Sequence, residues 1–220
     1  MTRIRFGLKR ETIRQIPLSS FLRLNKGEFT DMITRRSVLK SGAIAFGSMM
    51  LSRSNFVMAA ASNYGIKGQI APELHVDYWI DENGDPTTFK IADHEGKWVF
   101  LKCFQSWCPG CHSHGFPALK QISDALEGNP KIAFAGIQTV FEGHYTNTVD
   151  KVREIQLQYD LRMPMGHDPG PEKGNPQTMV NYRTGGTPWM ILINPDREVI
   201  FNDFGINAEK AIDFLVSQTS

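Results

Sequence analysis

The 220-residue sequence has no internal repeat, no low-complexity segment and no apolar run long enough for a comfortable bilayer span. The stretch from Val38 to Leu51 is only moderately hydrophobic, is interrupted by Gly42 and Gly47, and is shorter than the ~20 residues that a transmembrane helix needs. With 41% hydrophobic and 21% charged residues, the composition is that of an ordinary globular protein with room for one domain or at most two.

Basic residues are scarce in most of the chain. Residues 1–61 contain 11 lysines and arginines against 3 acidic residues, whereas residues 62–220 contain 13 against 20. The first segment is therefore strongly basic and the second is acidic. The acidic balance of the larger segment argues against a nucleic-acid partner.

The basic segment has the pattern of an export signal. The pair Arg35-Arg36 precedes the weakly apolar run, and Ala59-Ala60-Ala61 follows it as a small-residue cleavage site. The context Thr-Arg-Arg-x-x-Leu-Lys resembles a twin-arginine (Tat) signal over residues 32–61, which implies a periplasmic protein. An uncleaved signal that serves as a membrane anchor is the alternative.

Residues 1–31 are a basic extension ahead of this signal, and we hypothesise that Met32 is the true initiator. The remainder, residues 62–220, has the size of a single domain. Strand and helix patterns alternate along it, which predicts an α/β fold. Hydrophobic patterns predict strands over 97–104, 131–140, 188–193 and 198–203 and helices over 117–128, 148–159 and 207–218, the last with Asn207 as its N-cap.

Two segments are less regular. Residues 62–95 contain the turn sequence Glu-Asn-Gly-Asp at 82–85, which predicts an added N-terminal β-hairpin. Residues 163–176 are dense in glycine and proline and are predicted to form a loop.

Cys108 and Cys111 follow the predicted strand that ends at Phe104. A thiol–disulfide switch needs a thiolate at neutral pH, whereas free cysteine, with a pKa of about 8.5, is mostly protonated there. A cysteine that opens a helix faces unpaired backbone N–H groups, which stabilise the anion. Cys111 lies one helical turn further on, within reach for a small closed disulfide. Pro109 suits the first helical turn, and Trp107 can shield the edge of the disulfide.

The sequence Trp-Cys-Pro-Gly-Cys at 107–111, together with Thr187-Pro188 before the predicted hairpin and final helix, resembles the thioredoxin family. The segment that leads from residue 71 into this motif is similar to the exported TlpA-like, redoxin branch. The resemblance implies a thioredoxin-like fold with a central mixed β-sheet flanked by helices. It also implies that Pro188 is cis and packs against the active-site disulfide, and that Thr187 pairs with a bound polypeptide.

The same resemblance implies a function, an exported thiol–disulfide oxidoreductase. Cys108 would form a mixed disulfide with a protein substrate and Cys111 would resolve it, without a cofactor. The substrate-binding residues would be Trp107, Pro109, Gly110, Thr187 and Pro188. The expected partners are protein thiols or disulfides and a membrane electron donor, and the expected state is a monomer. The direction of electron flow stays open.

The chain departs from the family pattern at three places. Thioredoxins carry a buried acid six residues before the first cysteine, but this chain has Lys102 there, which we expect to face outward. Pro117 comes six residues after Cys111 instead of five, which predicts a kink or bulge in the helix. His114 stands where the TlpA-like branch often has glutamate. We therefore consider His114, Lys102 and the neighbouring His112 as candidate proton-transfer groups.

The Cys-x-x-Cys-His motif is also compatible with three other functions. The string Cys-x-x-Cys-His also matches a c-type haem attachment site, but a motif at the end of a central strand offers no apolar haem pocket. A copper-binding protein would use both cysteines with a distant histidine such as His144 or His167. A peroxidase of the peroxiredoxin type would have threonine or serine where this chain has Gln105. Copper binding and peroxidase activity are kept as alternatives.

The third cysteine and the remaining histidines are expected to be uninvolved. Cys103 lies in the middle of a predicted strand, which indicates a buried, inert thiol. His75, His94, His144 and His167 are expected at the surface or in loops.

Overall fold

The computed structural model describes residues 64–220; residues 1–63, with the predicted basic extension and export signal, lie outside the described residues. The fold is a six-stranded mixed sheet in the order β1-β4-β3-β2-β5-β6, with helices packed against it. The strands are β1 (Tyr78–Ile80), β2 (Trp98–Phe104), β3 (Ile132–Thr139), β4 (Met165–Asp168), β5 (Trp189–Ile193) and β6 (Val199–Asp203). The helices are α1 (Phe116–Ala125), α2 (Asp150–Gln158), α3 (Gln177–Tyr182) and α4 (Ala208–Thr219), with a π-helical turn at Cys111–Gly115 and a 3₁₀ turn at Ile91–His94.

Strand β2 is the centre of the sheet, and all seven of its side chains are buried. It pairs with β3 in parallel and with β5 antiparallel. Because side chains alternate along a strand, Phe100 and Phe104 enter one core, whereas Leu101 and Cys103 enter the core on the opposite face. An even-numbered position of β2 therefore faces the helix that follows the cysteine motif.

The predicted strands and helices flanking the motif are confirmed. The hairpin of β5 and β6 turns at residues 194–197, and Arg197 adopts positive φ. Helix α4 begins after Asn207, whose side chain accepts a hydrogen bond from the Lys210 N–H at 2.9 Å, as expected of an N-cap.

The prediction of an uninterrupted loop over residues 163–176 is wrong, because β4 lies within it. This strand has only four residues and contains Gly166, so it lacks the alternating pattern by which strands are recognised. A side chain at Gly166 would meet the Trp79 ring at 2.9 Å, so the glycine permits the close approach of β1. His167 consequently lies in a strand and not in a loop. Its ring is half-buried and hydrogen-bonded to the Gln138 side chain.

The segment before β2 folds back on itself with little regular pairing. The Asp81 carboxylate accepts hydrogen bonds from the N–H groups of Asn83 and Asp85, which forms the turn. A single antiparallel bridge joins Ile80 to Pro86, so the expected N-terminal hairpin is reduced to its turn and one bridge. The main partner of β1 is β4. Among residues 64–220, none of the helices has both the length and the apolar character required to cross a membrane.

Candidate thiol–disulfide site

The cysteine motif lies where β2 passes into a helix. Cys108 precedes the first helical residues. Its carbonyl oxygen accepts hydrogen bonds from the N–H groups of Cys111 and His112 at 3.0 and 3.2 Å. The helix then widens into the π-helical turn Cys111–Gly115 before α1 continues. The bulge predicted from the position of Pro117 is thus confirmed as one inserted residue in the helix, a feature found often at functional sites.

The two sulfur atoms differ in their surroundings. The Cys108 side chain is 7% exposed and that of Cys111 is fully buried. The Cys108 sulfur accepts a hydrogen bond from the Cys111 N–H at 3.3 Å and lies 3.4 Å from the Thr187 carbonyl oxygen. The Cys108 sulfur therefore belongs to the more exposed of the two side chains.

The Thr187-Pro188 segment lies directly against the start of the helix. Its peptide bond is cis, as the family resemblance implies. A side chain at Gly110 would approach the Pro188 ring to 3.2 Å, which shows how closely the two segments pack. Trp107 is 44% exposed beside the motif, and its indole N–H faces the loop that contains Gly143. The structure therefore brings together the residues for which the sequence predicts catalysis and substrate binding.

The expectation that Lys102 faces outward is wrong. Its side chain is completely buried, since the alternation along β2 turns it toward the helix, and its Nζ lies 4.9 Å from the centre of the Phe116 ring. The Nζ atom has no hydrogen-bond partner among residues 64–220. Burial lowers the pKa of Lys102 to about 8, although the nearby cysteine sulfur atoms, Cys111 first, act in the opposite direction.

The π-helical turn makes room for this lysine. A Cβ atom at Gly115 would stand 2.4 Å from the Lys102 Nζ and 2.8 Å from Pro188 Cβ. Both distances are far below a normal contact, so only glycine fits here without movement. The Lys102 amine therefore occupies the space beneath the turn that starts at Cys111, on the side of Pro188.

Burial dominates the acidity of two cysteines. It raises the pKa of Cys111 to about 12, and the positive charge of Lys102 partly opposes the rise. Burial likewise raises the pKa of Cys103 to about 12. Cys103 is fully buried on the opposite face of the sheet, as expected from its strand position.

His112 and His114 have different environments. The His112 ring lies between the Tyr159 hydroxyl and the Ser106 carbonyl oxygen, with both contacts at 2.6 Å. These two partners hold the ring beside the motif. His114 is exposed, and its Nδ1 lies 2.7 Å from the Ser113 hydroxyl on the helix surface.

Sequence reasoning missed the residues that support the motif from a distance. The Ser106 N–H donates to Asn147 Oδ1 at 2.7 Å, and the Asn147 amide donates to the carbonyl oxygens of Glu142 and Gly143. Gln105 is fully buried and donates to the Thr139 carbonyl oxygen at 3.3 Å. Thr139 lies 34 residues from Gln105 and Asn147 lies 41 residues from Ser106, so only the fold brings these partners together.

The part of the chain that the structure describes contains no group of three or more histidine, cysteine, aspartate or glutamate side chains that could hold a metal ion. His167, one of the two histidines considered as a distant copper ligand, places its Nδ1 2.8 Å from the Gln138 side-chain oxygen.

The fold and the site together define a thioredoxin-like protein with a Cys-x-x-Cys pair opposite a cis-proline. A family model described as "AhpC/TSA family" matches residues 67–202, and the chain belongs to this family. Among solved structures, a thioredoxin-like superfamily protein is 32% identical with a TM-score of 0.60, over 68% of this chain and 95% of that one. A thiol-disulfide isomerase from Corynebacterium glutamicum is 27% identical with a TM-score of 0.58, over 68% and 97% of the two chains.

Two curated relatives are each named thiol-disulfide oxidoreductase ResA. The protein from Oceanobacillus iheyensis is 26% identical over 133 residues, which cover 60% of this chain and 62% of the relative. The protein from Bacillus cereus is 25% identical over 124 residues, which cover 56% and 64%. The matched part of the chain thus spans less than two thirds of the length of these relatives.

Proposed function

We propose that this protein is an exported thiol–disulfide oxidoreductase that exchanges a Cys108–Cys111 disulfide with protein thiols and disulfides. The observation that carries the proposal is the placement of the Cys108 sulfur. It lies at the start of a helix, 3.3 Å from the Cys111 backbone nitrogen and 3.4 Å from the Thr187 carbonyl oxygen. The names of the relatives and of the structural neighbours support the same reaction class.

In the reducing direction, the Cys108 thiolate attacks one sulfur of a substrate disulfide. The substrate S–S bond breaks, and the other substrate sulfur leaves with the electron pair and takes a proton from solvent. Cys111 then loses its proton and attacks the Cys108 sulfur, which expels the second substrate thiolate. The substrate gains two electrons and the cysteine pair loses two. The oxidising direction follows the same steps in reverse.

The substrate segment would dock across Thr187 and Pro188. The Thr187 carbonyl oxygen lies 3.4 Å from the Cys108 sulfur and Pro188 packs against Gly110, so a backbone that passes this point can pair with Thr187. Trp107 and Pro109 are exposed beside the sulfur, where they would form the border of the docking surface.

The compartment is part of the proposal. The twin-arginine pattern at residues 35–36 supports export to the periplasm, where a membrane protein would supply or accept electrons. We propose that the protein acts there as a monomer.

Trapping of mixed disulfides tests the mechanism. Cys111→Ser should hold substrate proteins covalently on Cys108, because the resolving sulfur is missing, whereas Cys108→Ser should hold none and should have no turnover. Cys103→Ser is the matched control and should behave as the unsubstituted protein, since that thiol lies in the opposite core. Absence of any adduct on Cys111→Ser would contradict the mechanism.

The same proteins separate this function from a peroxidase. Gln105 occupies the position where a peroxiredoxin would carry threonine or serine, and its side chain is bonded to the backbone of residue 139. We expect reduced protein to reduce a protein disulfide much faster than hydrogen peroxide. The opposite order of rates would favour the peroxidase.

A further inference from the structure

The most unusual group near the site is a buried cation. The Lys102 side chain is fully buried and its Nζ has no hydrogen-bond partner in the described part of the chain. Burial of an ammonium without a partner is costly, so a buried lysine normally faces a counter-charge. The groups that act on the charge of Lys102 are, in decreasing order, the sulfur atoms of Cys111, Cys103 and Cys108.

Three features of the structure accommodate the Lys102 side chain. The π-helical turn that starts at Cys111 ends at Gly115, where a Cβ atom would stand 2.4 Å from the Lys102 Nζ. The Phe116 ring lies on another side, with its centre 4.9 Å from Nζ. An ammonium over the face of an aromatic ring is stabilised by the ring electrons. The glycine, the bulge and the ring together accommodate the lysine against the π-helical turn, of which Cys111 is the first residue.

Cys111 is the group that needs such a cation. Its sulfur must become a thiolate to resolve a mixed disulfide, yet its burial opposes that charge. The Cys108 side chain is the more exposed of the two, and its sulfur accepts a hydrogen bond from the Cys111 N–H at 3.3 Å.

We propose that the Lys102 ammonium is the charge partner that stabilises the Cys111 thiolate during resolution of the mixed disulfide. This inference rests on the proposed function and adds to it the group that drives its second step. The Cys111 thiol gives its proton to solvent, the thiolate is held beside the ammonium, and its electron pair forms the new bond to Cys108. The substrate sulfur leaves with the electron pair of the broken bond. Once the disulfide is closed, Lys102 faces two uncharged sulfur atoms.

The expected slowing of mixed-disulfide resolution follows from general values for the pKa and nucleophilicity of thiols. An opposite charge nearby lowers the pKa of an acidic side chain by about 1 to 3 units, as for a carboxyl group beside an arginine, and we apply the same range to the thiol. A pKa lower by one unit gives about tenfold more thiolate, but each thiolate is about threefold less nucleophilic, since the Brønsted coefficient is about 0.5. Loss of the cation should therefore slow resolution by about 3- to 30-fold.

The test is a quenched-flow measurement with glutathione disulfide as the probe. Reduced full-length protein is mixed with the probe and quenched in acid, and the Cys108–glutathione adduct and the closed disulfide are counted by mass. The variants are Lys102→Met and Lys102→Gln. The matched control is Lys97→Met, which removes an exposed lysine next to the same strand.

We expect both Lys102 variants to accumulate the glutathione adduct and to close the disulfide about 3- to 30-fold more slowly. Formation of the adduct, measured also in a Cys111→Ser background, should change less than closure, because Lys102 acts on Cys108 less than on Cys111. Lys97→Met should leave both steps unchanged.

Three results would overturn the inference. Closure at the unsubstituted rate in both Lys102 variants would remove the role of the cation. Equal slowing of adduct formation and closure would indicate a general disturbance of the site and not a charge partner of Cys111. If the unsubstituted protein forms neither adduct nor closed disulfide, the proposed function fails and the inference fails with it.

Discussion

Replacement of Lys102 by methionine should stabilise the reduced protein. The lysine is fully buried, and burial lowers its pKa from 10.5 to about 8. At 1.36 kcal/mol per pKa unit, this depression corresponds to a cost of about 3 kcal/mol for the charged side chain in the folded state. The contact with the Phe116 ring offsets up to about 2 kcal/mol of what methionine would gain. The expected net gain is about 1 to 3 kcal/mol at pH 7.

The pH dependence gives the sharper test. The pKa of Lys102 is lower in the folded than in the unfolded protein, so the unfolded state binds more protons between pH 8 and 10.5. The penalty is therefore complete below about pH 8 and disappears as the pH rises toward 10.5. The advantage of Lys102→Met should be largest at pH 7 and should shrink at pH 10.

Urea unfolding at pH 7 and pH 10, with reductant present, measures both quantities. Lys97→Met is the control for loss of a surface charge and should change the free energy of unfolding by less than about 0.5 kcal/mol. An equal or lower stability of Lys102→Met at pH 7 would refute the reasoning, as would an advantage that does not change with pH.

Substitutions at three further positions test a close contact, a hydrogen bond and a helix cap by urea unfolding. Gly115→Ala should destabilise the protein by about 1 to 3 kcal/mol, because its Cβ would meet both Lys102 and Pro188, and a neutral result would show that the turn can yield. Tyr159→Phe should cost about 1 kcal/mol through loss of the 2.6 Å contact with His112, and no change would mean that water replaces the hydroxyl. Asn207→Ala should cost about 1 kcal/mol by removing the cap of α4, whereas Asn207→Gly should cost only a few tenths. Equal losses in the two Asn207 variants would contradict the capping argument.

The sequence alone predicted the parts of the site that depend on local pattern. A run of apolar residues ending at Phe104 is buried on both faces, so β2 was predictable. The position of Pro117, compared with the pattern of the family that the sequence resembles, indicated the bulge. Strand β4 was not predictable in the same way. It has four residues and owes its existence to pairing with β3 and β1 on either side.

The orientation of Lys102 was out of reach for a different reason. Lysine is almost never buried without a partner, so the residue type predicted an exposed side chain at position 102. The position in an apolar strand predicted a buried one. The deciding feature was Gly115, which lies 13 residues later and leaves the space that the ammonium fills. The contact between His112 and Tyr159 was equally hidden, since 47 residues separate the two.

The central claim is that Cys108 and Cys111 form a reversible two-electron couple. Purified protein is equilibrated in glutathione or dithiothreitol buffers of graded potential, free thiols are alkylated, and the disulfide is located by peptide mass. The account predicts one disulfide, between Cys108 and Cys111, that forms and opens along a single two-electron curve while Cys103 stays a free thiol. Absence of an intramolecular disulfide at any potential, or a disulfide that includes Cys103, would contradict it.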